Sequence, residues 1–442
     1  MSVVTLQESH PAGERYRAAF DARWSANDAA TDPLIELRRA ALERFVAAGF
    51  PTQRQEEWKY TNLRRLEART FAPATSTAVA LGAHEQHWIA NAGLRIVLIN
   101  GHWMPALSSV GAQFPGMTVL TLKQWSEHDP AAVAAFIAQT SRAQPGALED
   151  LNLAFCEDGV VLDLAAGASA DQPIYIVHQW SDGAAQLMSN PRVLVRAAAN
   201  SRCTVIEHFV GGTAGECFTN AVTEIEVAAG ASVEHYRIQQ ESARAFHIGH
   251  VNVRVQQDGR YASHDIALGA SLARLNLGTI LQGTGAHVAL HGLLAPLANQ
   301  HLDSHTTIDH AAPHTTSDEN YRGIAGERGR GVFNGKVIVR PDAQKTDARQ
   351  SSRNLLLAAG AEIDTKPELE IYANDVKCSH GATIGQLDAA ALFYLRSRGL
   401  DEVAARALLI RAFAESILSS VGPPPVRSHL EKLLDERYRI SS

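Results

Sequence analysis

Cysteine and histidine occur two positions apart near the end of the chain, in the stretch YANDVKCSHGATIG. If the segment around Cys378 forms a β-strand, Val376, Cys378 and His380 share one face, because successive side chains of a strand point to opposite sides. A thiolate and an imidazole are the usual ligands of soft or borderline metals and of iron–sulfur clusters. Cys378 and His380 are therefore candidate metal ligands.

Other interpretations of the same pair stay open. The apolar Val376 on that face is typical of a face that points into a core, where Cys378 would be inert and His380 would be hydrogen-bonded. A cysteine nucleophile with a histidine base is disfavoured. Such a pair usually sits on a loop or helix end with a third orienting group, which a two-residue strand spacing does not supply.

Two further stretches contain residues that could bind a metal or a nucleotide, but their patterns do not support either kind of site. Four histidines occur in HLDSHTTIDHAAPH, at positions 301, 305, 310 and 314. In a strand-rich region these spacings do not bring the rings to one point, so we interpret them as polar rungs on a surface. The stretch GRGVFNGKV has Val337 after Lys336 where a phosphate-binding loop needs serine or threonine, so nucleotide binding is not expected.

Composition describes an ordinary soluble protein. The chain has 442 residues, 45% of them hydrophobic, and a net charge of −7 from 40 basic and 47 acidic residues. A mildly acidic chain is not expected to attract nucleic acid or an anionic membrane surface. We find no apolar run of transmembrane length, no secretory signal and no paired cysteine motif, so a cytoplasmic location is expected.

Hydrophobic patterns divide the chain into three regions. Residues 1–92 are predicted to be an N-terminal helical region, with the clearest helix in TDPLIELRRAALERFVAAGFP. Residues 93–385 are predicted to be β-rich, with alternating strands such as HVNVRV. Residues 386–442 are predicted to be helical again, because LDAAALFYLRSRG and DEVAARALLIRAFAESIL carry helical apolar stripes.

Small-residue turns recur through the β-rich region. They include AAGAS at Gly167, AAANS at Asn200, AAGAS at Gly230, QDGRY at Gly259 and GTGAH at Gly285. A period near thirty residues predicts a β-solenoid, with its core at about 150–385. A β-sandwich, which also has short strands and turns, is the alternative.

One long segment resembles a known family. The stretch from FNGKVIVRPDAQKTDARQSSRNLLL through DVKCSHGATIGQLD to LFYLRSRG resembles the C-terminal signature of the SufB/SufD family, proteins of the SUF iron–sulfur cluster assembly system. DVKCSHGATIGQLD resembles the SufD branch in particular, as does EEWKYTNL near the N-terminus. The resemblance covers most of the chain and is strongest at about 333–400.

The resemblance implies a fold and a role. The fold is a right-handed parallel β-helix between N-terminal and C-terminal α-helical regions. The role is that of a scaffold subunit, not an enzyme, which pairs with SufB and binds the SufC ATPase through its C-terminal helices. We expect Leu408, Ile410 and Phe413, on the apolar side of the longest of these helices, to contribute to that docking.

The resemblance also assigns the candidate ligands. It implies that His380 takes part in cluster assembly at the SufB interface, and it leaves the role of Cys378 less certain. No cofactor is expected to stay bound to the chain alone, whereas iron or an iron–sulfur cluster would pass through the complex. Whether the chain forms a homodimer without SufB stays open.

Two alternatives remain to be distinguished from this role. A carbohydrate-active β-helix enzyme would need paired acidic residues in a groove, and we find none on consecutive rungs. A purely structural docking subunit, in which Cys378 and His380 are inert, is compatible with the sequence.

Overall fold

The computed structural model describes residues 11–24, 32–75, 87–109, 115–140, 146–181, 183–211 and 215–438. The helices are α1 (Pro11–Arg23), α2 (Ile35–Ala48), α3 (Arg64–Glu67), α4 (Leu122–His128), α5 (Pro130–Thr140), α6 (Ala147–Phe155), α7 (Ala389–Ser397), α8 (Glu402–Leu418) and α9 (Pro424–Arg437), with 3-10 turns at Glu56–Trp58 and Pro105–Leu107. The strands are β1 (Ala72–Pro73), β2 (Leu94–Ile99), β3 (His102–Trp103), β4 (Met117–Thr121), β5 (Gly159–Leu164), β6 (Ile174–Trp180), β7 (Leu187–Ser189), β8 (Arg192–Ala197), β9 (Arg202–Gly211), β10 (Phe218–Val227), β11 (Ser232–Gln239), β12 (Phe246–Val255), β13 (Arg260–Ala267), β14 (Leu272–Leu281), β15 (His287–Leu294), β16 (His301–His310), β17 (Thr316–Ala325), β18 (Arg330–Val339), β19 (Asp347–Leu356), β20 (Glu362–Ile371) and β21 (Lys377–Gly385).

The strands form two mainly parallel sheets that alternate along the chain, with antiparallel pairs only at β4–β5 and β2–β3 in the described residues. Sheet A runs β20-β18-β16-β14-β12-β10-β8-β5-β4, and sheet B runs β21-β19-β17-β15-β13-β11-β9-β6-β2-β3. From β10 to β20 each strand of sheet A pairs in parallel with the strand 26 to 32 residues further on. The predicted β-helix is confirmed, with two strands per turn. Parallel pairing rules out the sandwich of antiparallel sheets.

The recurring turns have a common backbone cause. Gly167, Gly230 and Gly285 all have φ between 67° and 75°, a left-handed conformation that costs glycine little. At the other turns the left-handed residue is Asn200 (φ 62°) or Asp258 (φ 54°), two residue types that tolerate it. The sequence period therefore marks one sharp corner in each turn of the solenoid.

The space between the sheets, here called the bore, is filled by alternate residues of every strand. Its apolar lining includes Val205, Val233, Val288 and Leu290 of sheet B. Such an arrangement buries one face of each strand against the opposite sheet, about 10 Å away. The other faces of the two sheets are covered by helices.

The N-terminal helices cover sheet A. Helices α1 and α2 share one apolar cluster with α4, α5 and α6, and with Phe218 and Phe246 of the sheet. Sequence analysis placed residues 122–140 and 147–155 in the β-rich region, whereas they contain the three helices α4, α5 and α6 of the N-terminal layer. Their apolar residues are spaced for a helix face, as the buried Val133, Phe136 and Ile137 of α5 show.

The motif EEWKYTNL packs against sheet A and connects the N-terminal layer to the β-helix. Trp58 is buried and stacks on the guanidinium of Arg274, whose carbon lies 3.8 Å from the ring centroid. Arg274 in turn pairs with Asp303 at 2.9 Å, and the hydroxyl of Thr61 donates to the same carboxylate. The motif thus covers a buried ion pair on sheet A and adds a hydrogen bond to its carboxylate.

The C-terminal helices cover sheet B. Ile410, Ala414 and Ile417 of α8 join an apolar cluster with Ile266 and Leu293 on the outer face of that sheet. Helix α7 differs, because none of its residues is buried. None of the helices in the described part of the chain combines the length and the apolar character needed to cross a membrane.

One end of the β-helix is open. Strands β20 and β21 are the last strands of sheets A and B, so each has one edge without a partner strand in the described chain. Ile371 is 41% exposed and Ile384 is 47% exposed, although both occupy positions in register with the lining of the bore. This open end is called the mouth below.

Candidate functional site

Cys378 and His380 both lie on β21, at the mouth. Cys378 is in register with the buried Ala348, and His380 is in register with the buried Gln350. Both therefore lie on the face of the strand that lines the bore, as the alternation of the sequence predicts.

The two side chains differ in exposure. Cys378 is half-buried and packs against the apolar lining of the bore, whereas His380 is exposed. Burial raises the pKa of the Cys378 thiol, so this residue is protonated at neutral pH unless a metal displaces its proton. The imidazole is the more available ligand of the two.

The facing strand completes the lining of the mouth with apolar groups. The inner face of β20 carries Ile363, Thr365, Pro367, Leu369 and Ile371. In the described residues no group of three or more histidine, cysteine or acidic side chains converges as a metal site would. Cys378 and His380 alone would leave other coordination positions of a bound iron ion open.

The four histidines of HLDSHTTIDHAAPH are spread over different surfaces. His301 and His305 lie on the outer face of β16, and His310 points into the bore, where it contacts Thr315 and Ser317 at 2.8 and 3.0 Å. His314 follows β16, with φ 57°. The strand alternation explains why they do not form one site.

Buried charge clusters occupy the bore away from the mouth, and sequence reasoning missed them. His178 and His235 contact Glu207 at 3.0 and 2.9 Å, and Thr223 donates to the same carboxylate at 2.6 Å. Burial acts to raise the pKa of Glu207, but the two histidines hold it well below its usual value. These contacts satisfy one another and explain the position of several of the 19 histidines.

A polar cleft of about 250 Å³ lies on the outer face of sheet A, beside the Glu56–Trp58 turn. Its lining includes His250, Asn276, His305 and Asn334. The cleft does not reach Cys378 or His380, so it is separate from the candidate site.

The segment Gly335-Lys336-Val337 lies within β18, and the chain turns into β19 after it. Lys336 pairs with Glu370 at 2.6 Å. A phosphate-binding loop needs a strand that leads into a helix, which is not the arrangement here.

The residues expected to dock a partner are distributed over two sides of α8. Ile410 is only 6% exposed and packs inside the chain, so its expected contact with a partner needs correction. Phe413 is half-buried, with the guanidinium of Arg322 5.8 Å from its ring centroid. Leu408 is 46% exposed and is available to a partner.

Five large apolar side chains are exposed on α7, on α8 and in the turn between them, and sequence reasoning selected only Leu408 among them. These side chains, with their exposed fractions, are Phe393 (75%), Tyr394 (56%), Leu400 (36%), Val403 (61%) and Leu408 (46%). We call these five residues the α7–α8 patch. Several exposed large apolar side chains on two consecutive helices make these helices a candidate interaction site.

Imidazoles lie between the C-terminal helices and sheet B. The rings of His208 and His429 are 5.3 Å apart, and those of His264 and His291 are 4.9 Å apart. Burial lowers the pKa of His208 and His264 to about 3, and that of His429 to about 4. All of them are neutral in the folded protein at neutral pH.

This arrangement predicts a loss of stability in acid. As the pH falls below about 6.5, these histidines take up protons in the unfolded chain but not in the folded one, down to about pH 4 for His429 and about pH 3 for His208 and His264. Each fully buried imidazole therefore removes up to about 1.4 kcal/mol of unfolding free energy per pH unit. Denaturant unfolding followed from about pH 7 to about pH 5 measures the slope. His429→Gln should flatten it, and an unchanged slope in that variant contradicts the assignment.

Comparison with known proteins gives consistent matches along the chain. Residues 177–413 match the model of the SUF system FeS cluster assembly, SufBD core domain, and residues 13–176 match the SufBD protein N-terminal region. An iron–sulfur cluster assembly SufBD family protein of Synechocystis is 33% identical over 91% of this chain and 91% of its own length. The iron–sulfur cluster assembly protein SufD of Escherichia coli is 31% identical over 86% of this chain and 87% of its own. The chloroplastic protein ABCI7 of Arabidopsis thaliana is 27% identical over 93% and 88%.

Proposed function

The chain belongs to the SufBD family of iron–sulfur cluster assembly proteins, and from this membership and the open mouth we propose that it is a SufD-type scaffold subunit. It would pair with SufB at the mouth and bind the SufC ATPase through its C-terminal helices. Iron and sulfide would be assembled in the seam between the two β-helices.

The open mouth is the structural feature that best supports pairing with SufB. An edge strand presents a row of backbone donors and acceptors that another strand can pair with. Here two such edges, those of β20 and β21, lie beside exposed apolar side chains and an exposed imidazole. A SufB strand added to these edges would cover Ile371, Ile384 and His380 together.

Covering the mouth gives the two candidate ligands different roles. The His380 imidazole is ready to bind iron, because it is exposed in the uncovered chain. Cys378 would have to lose a proton whose pKa burial has raised, so its thiolate forms only when iron replaces the proton. Iron is cargo in this scheme, and SufB would supply the remaining ligands.

We assign ATP hydrolysis to SufC and no catalysis to this chain. The α7–α8 patch supports that division, since its exposed apolar side chains lie on the C-terminal helices, outside the strands that form the mouth. Binding and release of ATP by SufC could then act on the C-terminal helices, which rest on sheet B.

Co-purification with tagged SufB and SufC tests the proposal. Ile384→Asp puts a charge on the inner rim of the mouth, and we expect it to reduce recovery of SufB at least about tenfold. Thr383→Asp is the matched control, because Thr383 lies on the outer face of the same strand. Iron and sulfide are measured in each preparation. Equal recovery of SufB with Ile384→Asp would place the interface elsewhere.

A further inference from the structure

A buried carboxyl group and a buried amide lie on the two strands of sheet B that precede the strand of His380, at positions in register with it. Glu319 of β17 is in register with Gln350 of β19, and Gln350 is in register with His380 of β21. All three occupy the face that lines the bore. Neighbouring strands are about 4.8 Å apart, so side chains at paired positions on one face are within contact range.

The amide of Gln350 has a defined orientation. Its Nε2 donates to Oε2 of Glu319 at 2.6 Å, which directs its Oε1 away from that carboxyl group. Gln350 is 4% exposed and Glu319 is 1% exposed. Oε1 of Gln350 is buried and has no hydrogen-bond partner among the described residues. A buried carbonyl oxygen without a donor is unfavourable, and it marks a place where a donor is expected.

The opposite sheet leaves space for this pair. A Cβ atom built on Gly335 of β18 would overlap Nε2 of Gln350 and lie 2.8 Å from Oε2 of Glu319. Glycine at this position therefore allows the amide and the carboxyl group to meet inside the bore. The Glu319–Gln350 contact is thus accommodated by both sheets, at the rung directly below the mouth.

We infer that Gln350 is a positioning residue for His380: when a partner covers the mouth, its Oε1 accepts the N–H of the imidazole and leaves the other ring nitrogen to bind iron. Metal-binding histidines almost always donate their second N–H to a carbonyl or carboxylate oxygen, which fixes the ring and its tautomer. His380 has no other such acceptor in register beside it on β19. The inference rests on the proposed role of His380.

Ferrous iron affinity of the complex with SufB and SufC tests the inference. Gln350→Met keeps the length of the side chain and removes its acceptor, and we expect iron binding to weaken about 10- to 100-fold. Ser352→Ala is the control, since Ser352 is equally buried on the same face but is in register with Ala382. Gln350→Glu keeps an acceptor oxygen and should bind iron more tightly than Gln350→Met.

Recovery of SufB separates positioning from a general loss of structure. Gln350→Met also removes the donor to Glu319, so its melting temperature should fall. A positioning residue lowers iron affinity while recovery of SufB stays near that of the Ser352→Ala control. Wild-type iron affinity in Gln350→Met, or equal loss in Ser352→Ala, overturns the inference. If His380→Ala itself leaves iron binding intact, the proposed function fails. If Gln350→Met leaves iron binding intact and His380→Ala does not, the inference about Gln350 fails while the proposed function stands.

Discussion

His380→Ala is expected to leave the complex assembled and almost free of clusters. The imidazole is exposed at the mouth, so its loss should change the free energy of unfolding by no more than about 0.5 kcal/mol. The same change removes the most available iron ligand of the site. Iron and sulfide content of the purified complex, and complementation of a strain that depends on SUF, measure the effect.

Cys378→Ala provides the comparison. We expect a milder defect in cluster content, because the thiol is half-buried and its raised pKa opposes thiolate formation. A more severe defect than that of His380→Ala would reverse the two roles. Normal cluster content in both variants would instead favour a purely structural docking subunit.

Phe393→Asp is expected to weaken binding of SufC by about two orders of magnitude. Phe393 is 75% exposed on a helix with no buried residue, so the change should not affect folding, whereas a large apolar side chain at an interface contributes about 2–4 kcal/mol. Affinity is measured with purified SufC by calorimetry. Ser428→Asp, on an exposed position of α9, controls for the added negative charge.

Phe413→Asp distinguishes docking from packing on the same pair of helices. Phe413 is half-buried beside Arg322, so its replacement should lower the melting temperature as well as SufC binding. Wild-type affinity in Phe393→Asp, with lost affinity in Phe413→Asp, would show that the α7–α8 patch is not the docking surface.

The β-helix could be predicted because its causes are local. The left-handed corners from Gly167 to Gly285 are glycine, asparagine or aspartate, and the strands between them alternate, so both signals recur through this part of the solenoid. The extent of the N-terminal layer could not be predicted in this way. Helices α4 to α6 interrupt the strands, and only their packing with α1 and α2 shows where they belong.

The residues of the candidate site could be predicted from the sequence, whereas their exposure to solvent could not. Alternation places Cys378 and His380 on one face, and the predicted boundary at residue 385 makes theirs the last strand. Neither signal shows that the C-terminal helices pack on sheet B and leave His380 exposed at the mouth. The prediction from the apolar stripe of α8 that contains Ile410 is limited in the same way. Periodicity finds an apolar helix face, and it does not show whether sheet B or another protein covers that face.

The open mouth also bears on how the chain survives in the cell before it finds a partner. A newly made copy displays two extended strand edges beside Ile371 and Ile384, the kind of surface that recruits identical chains into aggregates. Synthesis in excess of the partner would therefore be harmful. Selection should favour matched production of the two subunits, and surplus copies should be removed by chaperones and proteases.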